Sequence, residues 1–135
     1  HPQIEIKTAE ARAILPKEIP LQKAITQWAN LGSLVHALHT NDYDLISKSL
    51  HDEVIEPYRS QLIPHFDKVK NAALNAGALG CSISGSGPSI FSLSKGIETA
   101  KNVKDAINNI YKTTGIDFDM FVCKINTQGI KIISK

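Results

Sequence analysis

Residues 80–94 read GCSISGSGPSIFSLS, and this stretch decides the fold. Two short β-like runs, 80–84 and 89–94, flank the turn-forming residues Gly85-Ser86-Gly87-Pro88. Apolar and β-prone residues on both sides of a Gly/Pro turn are typical of a hairpin. The stretch therefore predicts two antiparallel strands joined by a tight, glycine-rich loop.

Helical periodicity lies on both sides of this hairpin. Residues 64–76 carry an apolar stripe that ends before Gly77, and residues 97–111 carry another. Residues 3–7 alternate apolar and charged side chains, while residues 117–126 and 130–134 have the composition of strands. The order strand, helix, strand, strand, helix, strand predicts an α+β fold. It is the ferredoxin-like split βαβ arrangement, an antiparallel sheet with helices on one face.

Extra helices are predicted before this core pattern. Thr8 is placed to cap a short helix over 9–15, and residues 43–50 form another short helix. A longer helix starts at Pro20 and ends at Asn41-Asp42. Its apolar stripe is either core or an interface with another domain, and it contains Leu21, Ala24, Ile25, Trp28, Leu31, Val35 and Leu38. Residues 52–64 contain two prolines and are predicted to be irregular.

Size and composition indicate one domain over residues 1–135. Fifteen basic against thirteen acidic side chains give a formal charge of +2, which argues against a nucleic-acid partner. The absence of any apolar run near ~20 residues argues against a membrane span. Two cysteines make no disulfide framework, so a cytoplasmic location is expected, with Cys81 and Cys123 as small buried groups. A first residue other than Met predicts a piece of something longer.

Candidate chemistry starts with the Gly/Ser loop and two arginines. The loop is either a structural turn or a place where backbone N–H groups and hydroxyls meet a ligand. Arg12 follows Thr8 by four residues, so both lie on one helical face. Arg59 stands between prolines, and each guanidinium is either solvated or clamps a carboxylate or phosphate. No residue set predicts a metal site, and no general base is evident. Asp52, Glu53 and Glu56 are expected to be solvated or paired.

Three separated segments carry a resemblance to a known family. Residues 80–91 resemble the third conserved motif of the GHMP kinases. Residues 8–16, from Thr8 to Pro16, and residues 56–64 are similar to segments of the homoserine kinases within that superfamily. The resemblance extends in order from residue 8 to about residue 93, and it implies the C-terminal domain of such a kinase.

The resemblance implies an activity and a site. These enzymes transfer the γ-phosphate of ATP to the hydroxyl of L-homoserine in threonine biosynthesis. By the same resemblance, Thr8, Arg12 and Arg59 bind the amino acid, with the arginines suited to its carboxylate. The resemblance also implies that the Gly/Ser loop packs against the nucleotide-phosphate loop and helps to shape the site between the domains. The residues of this motif are Ser84, Gly85, Ser86, Gly87 and Ser89.

The sequence also departs from the family, because its ATP-cradling Gly-Leu-Gly-Ser-Ser-Ala type loop is absent. ATP and Mg²⁺ are therefore expected in the full-length enzyme, with none bound to this segment alone, which is expected to be inactive. Its expected partners are L-homoserine, ATP, an N-terminal kinase domain and, in a homodimer, a second copy. Two alternatives stay open: a stand-alone ferredoxin-like module that binds an amino acid for regulation, and an interaction domain whose loop is only a turn.

Overall fold

A computed structural model describes residues 1–133 of the chain. Helices and two strands follow one another along it. The elements are α1 (Thr8–Ala13), α2 (Leu21–Thr40), α3 (Tyr43–Ser49), α4 (Glu56–Arg59) with a 3₁₀ turn (Ser60–Leu62), α5 (Phe66–Asn75), β1 (Gly80–Ile83), β2 (Ile90–Leu93) and α6 (Ile97–Tyr111). The α+β class is confirmed, and so are the hairpin and the helix on each side of it.

The hairpin is an antiparallel pair in which Gly80 faces Leu93 and Ile83 faces Ile90. Gly80 allows β1 to approach the end of α3 closely. A Cβ atom at position 80 would lie 2.6 Å from two carbon atoms of the Leu50 side chain. Since real Cβ atoms do not approach carbon this closely, the packing of β1 against α3 requires glycine here.

The core lies between the hairpin and helices α5 and α6. Its buried cluster takes Ala73 from α5, Cys81 from β1 and Val103 from α6, together with Ala78. Ile90 and Ile107 pack against this cluster from β2 and α6. Gly77, at φ 97°, turns the chain out of α5 in a backbone conformation that favours glycine. The helices thus cover one face of the hairpin, as the sequence predicts.

The segments predicted as outer strands form far less sheet than expected. One isolated antiparallel bridge joins Pro2, which directly precedes residues 3–7, to Phe118 in the segment 117–126. The Gln3 N–H donates to Asp117 O at 2.7 Å, and the Asp119 N–H donates to His1 O at 2.9 Å. No ladder continues from this bridge within the described residues. Residues 130–133 likewise form no strand, and residue 134 of that predicted strand lies outside the described residues.

Residues 52–64, predicted to be irregular, instead contain α4 and the 3₁₀ turn. Pro57 stands in the first turn of α4, where a helix needs no N–H from it. Proline here starts a helix rather than breaking one.

Apart from Ala24, helix α2 presents its apolar stripe to solvent. Trp28 is 64% exposed, and of the whole helix only Ala24 and Ala37 are buried. The opposite face packs on α3. The prediction that this stripe is core is therefore wrong for this chain. The other prediction, an interface with another domain, stays open. Among the helices of residues 1–133, none has both the length and the apolar character needed to cross a membrane.

Candidate functional site

Arg59 brings three distant segments together. From the last turn of α4, its Nη1 donates to the carbonyl of Gly85 at 2.8 Å, and its Nε donates to the carbonyl of Ala11 at 3.2 Å. One guanidinium therefore ties the Gly/Ser loop to α1, across 26 and 48 residues of sequence. This joins the three segments that carry the family resemblance at a single point.

Two of the Arg59 donors are bound to carbonyls, so the expectation that this guanidinium is only solvated is wrong, whereas its clamping of a ligand stays a prediction. Arg59 is half-buried rather than a solvated surface side chain. Each bidentate edge of a guanidinium includes Nη2, paired with either Nε or Nη1, and both of those partners here already donate to carbonyls. Within the described residues Nη2 donates no hydrogen bond, so both of its N–H groups are available to a ligand.

The loop over residues 84–89 has a fixed shape. The Ser84 N–H donates to Ser89 O at 2.8 Å, and the Gly87 N–H donates to Ser84 O at 3.1 Å. Gly85 and Gly87 have φ values of 62° and 82°, which favour glycine. At Gly87 a Cβ atom would also lie 3.1 Å from the Ile63 side chain, and 3.4 Å from those of Ile6 and Ile83.

Hydroxyl groups line this fixed loop. Ser84 is exposed and Ser86 is half-buried, and within residues 1–133 neither side chain makes a hydrogen bond. The Ser89 hydroxyl instead lies 2.8 Å from His1 Nδ1. The loop thus combines a rigid backbone with two hydroxyls that are available to a ligand.

Thr8 and Arg12 lie exposed on α1, next to the Ala11 carbonyl that Arg59 holds. The prediction that Thr8 caps this helix is wrong. The helix begins at Thr8 itself, and the extended residue Lys7 precedes it without a side-chain cap. Within the described residues neither side chain forms a hydrogen bond, so the Thr8 hydroxyl and the Arg12 guanidinium both reach solvent at this corner.

A buried carboxylate behind the site is not predicted by sequence. Glu56, at the start of α4, is only 8% exposed. It accepts a hydrogen bond from Ser82 Oγ at 2.6 Å and forms an ion pair with Lys70 of α5. This network binds α4 to β1 and α5 and so fixes the helix that carries Arg59. Of the two expectations for Glu56, pairing is confirmed and solvation is wrong.

The two cysteines have opposite surroundings. Cys81 is buried, and burial raises the pKa of its thiol above the ordinary value. Cys123 is exposed, contrary to prediction, because residues 120–133 do not pack as a strand. Over residues 1–133, no three His, Cys, Asp or Glu side chains come together as a metal site would require.

Comparison with known families agrees with this arrangement. A family described as GHMP kinases C terminal matches residues 34–113, from the middle of α2 to just past the end of α6. The chain belongs to this family. The matched region of this GHMP kinase C-terminal domain includes Arg59 and the Gly/Ser loop, while Thr8 and Arg12 precede it.

Individual relatives extend the likeness over nearly all of this GHMP kinase C-terminal domain. It is 50% identical over 136 residues to a homoserine kinase of Chlorobaculum tepidum, and 48% identical over 135 residues to one of Chlorobium phaeobacteroides. These matches cover 99% and 98% of this chain. A crystal structure of homoserine kinase from Cytophaga hutchinsonii matches 98% of the chain, with a TM-score of 0.94 and 52% identity. In each case the chain spans 42% of the relative's length.

Proposed function

We propose that this chain is the C-terminal part of a homoserine kinase. The intact enzyme transfers the γ-phosphate of ATP to the side-chain hydroxyl of L-homoserine, giving O-phospho-L-homoserine for threonine biosynthesis. The observation that carries this proposal is the point where Arg59 joins α1 to the Gly/Ser loop. The names of the relatives, at about half identity over almost the whole chain, support the choice of substrate.

Three side chains of this chain bind the amino acid in the proposal. The Arg12 guanidinium and the outer nitrogen of Arg59 attract the homoserine carboxylate, and the Thr8 hydroxyl adds a hydrogen bond. The Arg59 contacts to Ala11 and Gly85 keep α1 and the loop at a constant separation. The chain supplies positioning and charge, and we assign no general base to it.

ATP and Mg²⁺ belong, in this proposal, to the N-terminal kinase domain of the intact protein. The phosphate-cradling loop of the family is not in this sequence, and no metal-binding cluster lies within residues 1–133. When bound, the nucleotide and its Mg²⁺ supply the phosphoryl group and neutralise its charge. In this proposal the loop over 84–89 would help to shape the site for that group, and the Ser84 and Ser86 hydroxyls would be its hydrogen-bond donors.

The apolar stripe of α2 is assigned to a second copy of the chain. Leu21, Trp28 and Val35 are spaced by seven residues, and so are Leu31 and Leu38. Such a repeat suits pairing with a like helix, and Lys23 is the one Lys, Arg, Asp or Glu in the twenty residues of α2. Leu31→Lys in the full-length protein is expected to give monomers in sedimentation velocity, while Lys68→Ala on α5 leaves dimers. Dimers that persist in Leu31→Lys would refute this assignment.

Steady-state kinetics on the full-length protein test the site. Arg12→Ala and Arg59→Ala each remove a charge-assisted hydrogen bond, at a cost of about 1.5–3 kcal/mol in kcat/KM for homoserine. KM for ATP should stay nearly constant. The matched control is Lys68→Ala, which removes an exposed charge on α5. Unchanged kcat/KM for homoserine in both arginine variants would show that the site is placed wrongly.

Calorimetry on the 135-residue chain distinguishes the proposed kinase fragment from a stand-alone module that binds an amino acid for regulation. As part of a kinase, the chain alone binds homoserine weakly and phosphorylates nothing, because the nucleotide site is absent. A stand-alone amino-acid sensor would bind homoserine or a related amino acid tightly without any other domain. Tight binding by the isolated chain would favour that alternative.

A further inference from the structure

Helix α4 is attached to the hairpin through its first and its last residue, Glu56 and Arg59. Residues three positions apart on a helix lie on one side of it. Glu56 accepts a hydrogen bond from the Ser82 hydroxyl at 2.6 Å, and Arg59 donates to the Gly85 carbonyl at 2.8 Å. Each contact spans 26 residues of sequence, so two contacts fix this single helical turn against β1 and its loop.

The acid and the base on this turn form no ion pair with each other. An acidic residue three positions before a basic one is a favourable pair on a helix. Both carboxylate oxygens of Glu56 are nevertheless engaged elsewhere, Oε2 with Ser82 and Oε1 with Lys70. Within the described residues Arg59 forms no salt bridge with any Asp or Glu. Its positive charge is therefore not balanced by a carboxylate of this part of the chain.

Lys70 accounts for this arrangement of charges. Its ammonium comes from α5, its side chain is mostly buried, and it lies 6.0 Å from the centre of the Phe66 ring. Salt and solvent screen such a sheltered charge only weakly. Without Lys70, the Glu56 carboxylate would carry an uncompensated negative charge one helical turn from Arg59. That charge would lower the positive potential at the guanidinium.

We propose that Lys70 is a positioning residue for homoserine, because its pairing with Glu56 leaves the charge of Arg59 available to the carboxylate of the amino acid. Glu56 holds α4 against β1, and Lys70 cancels the negative charge that this attachment brings close to the site. The inference rests on the proposed function, since it takes the ligand of Arg59 to be a carboxylate. It adds a residue that acts on the substrate only through Glu56 and Arg59.

An ion pair that only stabilises the fold predicts a different result from this charge balance. If the pair is only structural, loss of either charge weakens the same packing and changes substrate binding in the same direction. In the proposed role the direction depends on which charge is lost. Loss of the Lys70 charge weakens binding of a carboxylate, whereas loss of the Glu56 charge does not.

Steady-state kinetics of full-length variants measure this direction. Lys70→Gln retains an N–H donor for Glu56 and removes the charge, so KM for homoserine is expected to rise about fivefold to fifteenfold, the effect of one charge over about 10 Å at an effective dielectric constant of about 20–40. The value of kcat and KM for ATP should stay nearly constant. Lys70→Arg retains the charge and should keep the parent's KM for homoserine. The matched control, Lys68→Gln, removes an exposed charge from the same helix and should also leave KM unchanged.

The double variant Glu56→Gln with Lys70→Gln removes both charges and is expected to return KM for homoserine to near the parent value. Equal KM in Lys70→Gln and the parent, or a rise that the double variant keeps, would overturn the proposal. Circular dichroism checks that each variant folds. If Lys70→Gln does not fold, Glu56→Gln tests the same balance from the other side, and a rise of KM for homoserine in that variant would overturn the proposal.

The parent enzyme in the same assay tests the proposed function separately. A parent that transfers no phosphoryl group to homoserine would refute the proposed function, and this inference with it. A parent that phosphorylates homoserine, with variants that do not follow the predicted order of KM, would refute only the role of Lys70.

Discussion

The hairpin region and the segment after Tyr111 are built from similar residues but have opposite environments. Cys81 and Val69 are almost completely buried, whereas Phe121 is 83% exposed and Ile130 is 99% exposed. The hairpin carries its own partner strand across a six-residue loop, and α5 and α6 cover it. The later segment depends on an edge far away in the chain. Apolar alternation produces a paired strand only where such an edge is present.

The largest change in stability is expected from breaking the buried ion pair between Glu56 and Lys70, beside the hairpin. Glu56→Ala leaves the Lys70 ammonium, with only 16% of its side chain exposed, without a partner. Loss of one partner from a buried pair costs about 3–5 kcal/mol of unfolding free energy, which urea denaturation at neutral pH measures.

Two controls accompany Glu56→Ala. Glu98→Ala, which breaks an exposed pair with Lys101, should cost only about 0.2–0.5 kcal/mol. Adding Lys70→Met to Glu56→Ala should restore most of the loss, because no charge then stays buried. Equal losses of unfolding free energy in Glu56→Ala and Glu98→Ala would mean that the stability of the hairpin region does not depend on the Glu56 network.

A middle-sized effect is expected where β1 meets α3. Gly80→Ala forces a Cβ atom against Leu50, and overpacking of this kind costs about 1–3 kcal/mol in urea denaturation. Gly32→Ala in α2 meets open space and should stabilise the chain by about 0.5–1 kcal/mol. If both substitutions change the unfolding free energy in the same direction, close packing at Gly80 does not explain why β1 and α2 respond differently to a Cβ atom.

The smallest effect concerns pH and contrasts the two cysteines. Burial raises the folded-state pKa of Cys81, so the folded chain retains this proton to higher pH than the unfolded chain. Its contribution to stability is complete below the ordinary thiol pKa and is lost as pH rises through that value toward the folded one. Between about pH 7.5 and about pH 9.5, the midpoint of urea denaturation should therefore decrease less in Cys81→Ala than in the parent chain. Cys123→Ala, at an exposed position, should retain the parent's decrease.

Much of the fold is predictable from sequence because its signals are local. The hairpin turn, the stripes of α5 and α6, and the start and end of α2 each depend on residues within a few positions of one another. The outer strands could not be predicted correctly in the same way. Their alternation is local, but the edges that would pair with them are not.

The candidate site divides in a similar way. The family resemblance drew attention to Arg59 and the loop, but not to the contacts that Arg59 makes. Its acceptors lie 26 and 48 residues away, and the partners of Glu56 lie 14 and 26 residues away. No periodicity connects such positions. The capping prediction for Thr8 is wrong because a threonine before an alanine-rich run has the same local pattern as a capping residue.

Arg59 holds both of its neighbours through backbone carbonyls, which every amino acid possesses. Replacement of Ala11 therefore removes no hydrogen bond of this clamp, provided that the backbone keeps its path, whereas at Gly85 the φ of 62° favours glycine. Under the proposed function, side chains of α1 that face the substrate can therefore change during divergence while the contacts of Arg59 to the backbone persist. A new substrate preference is then most accessible through α1, with Arg59 and Glu56 retained.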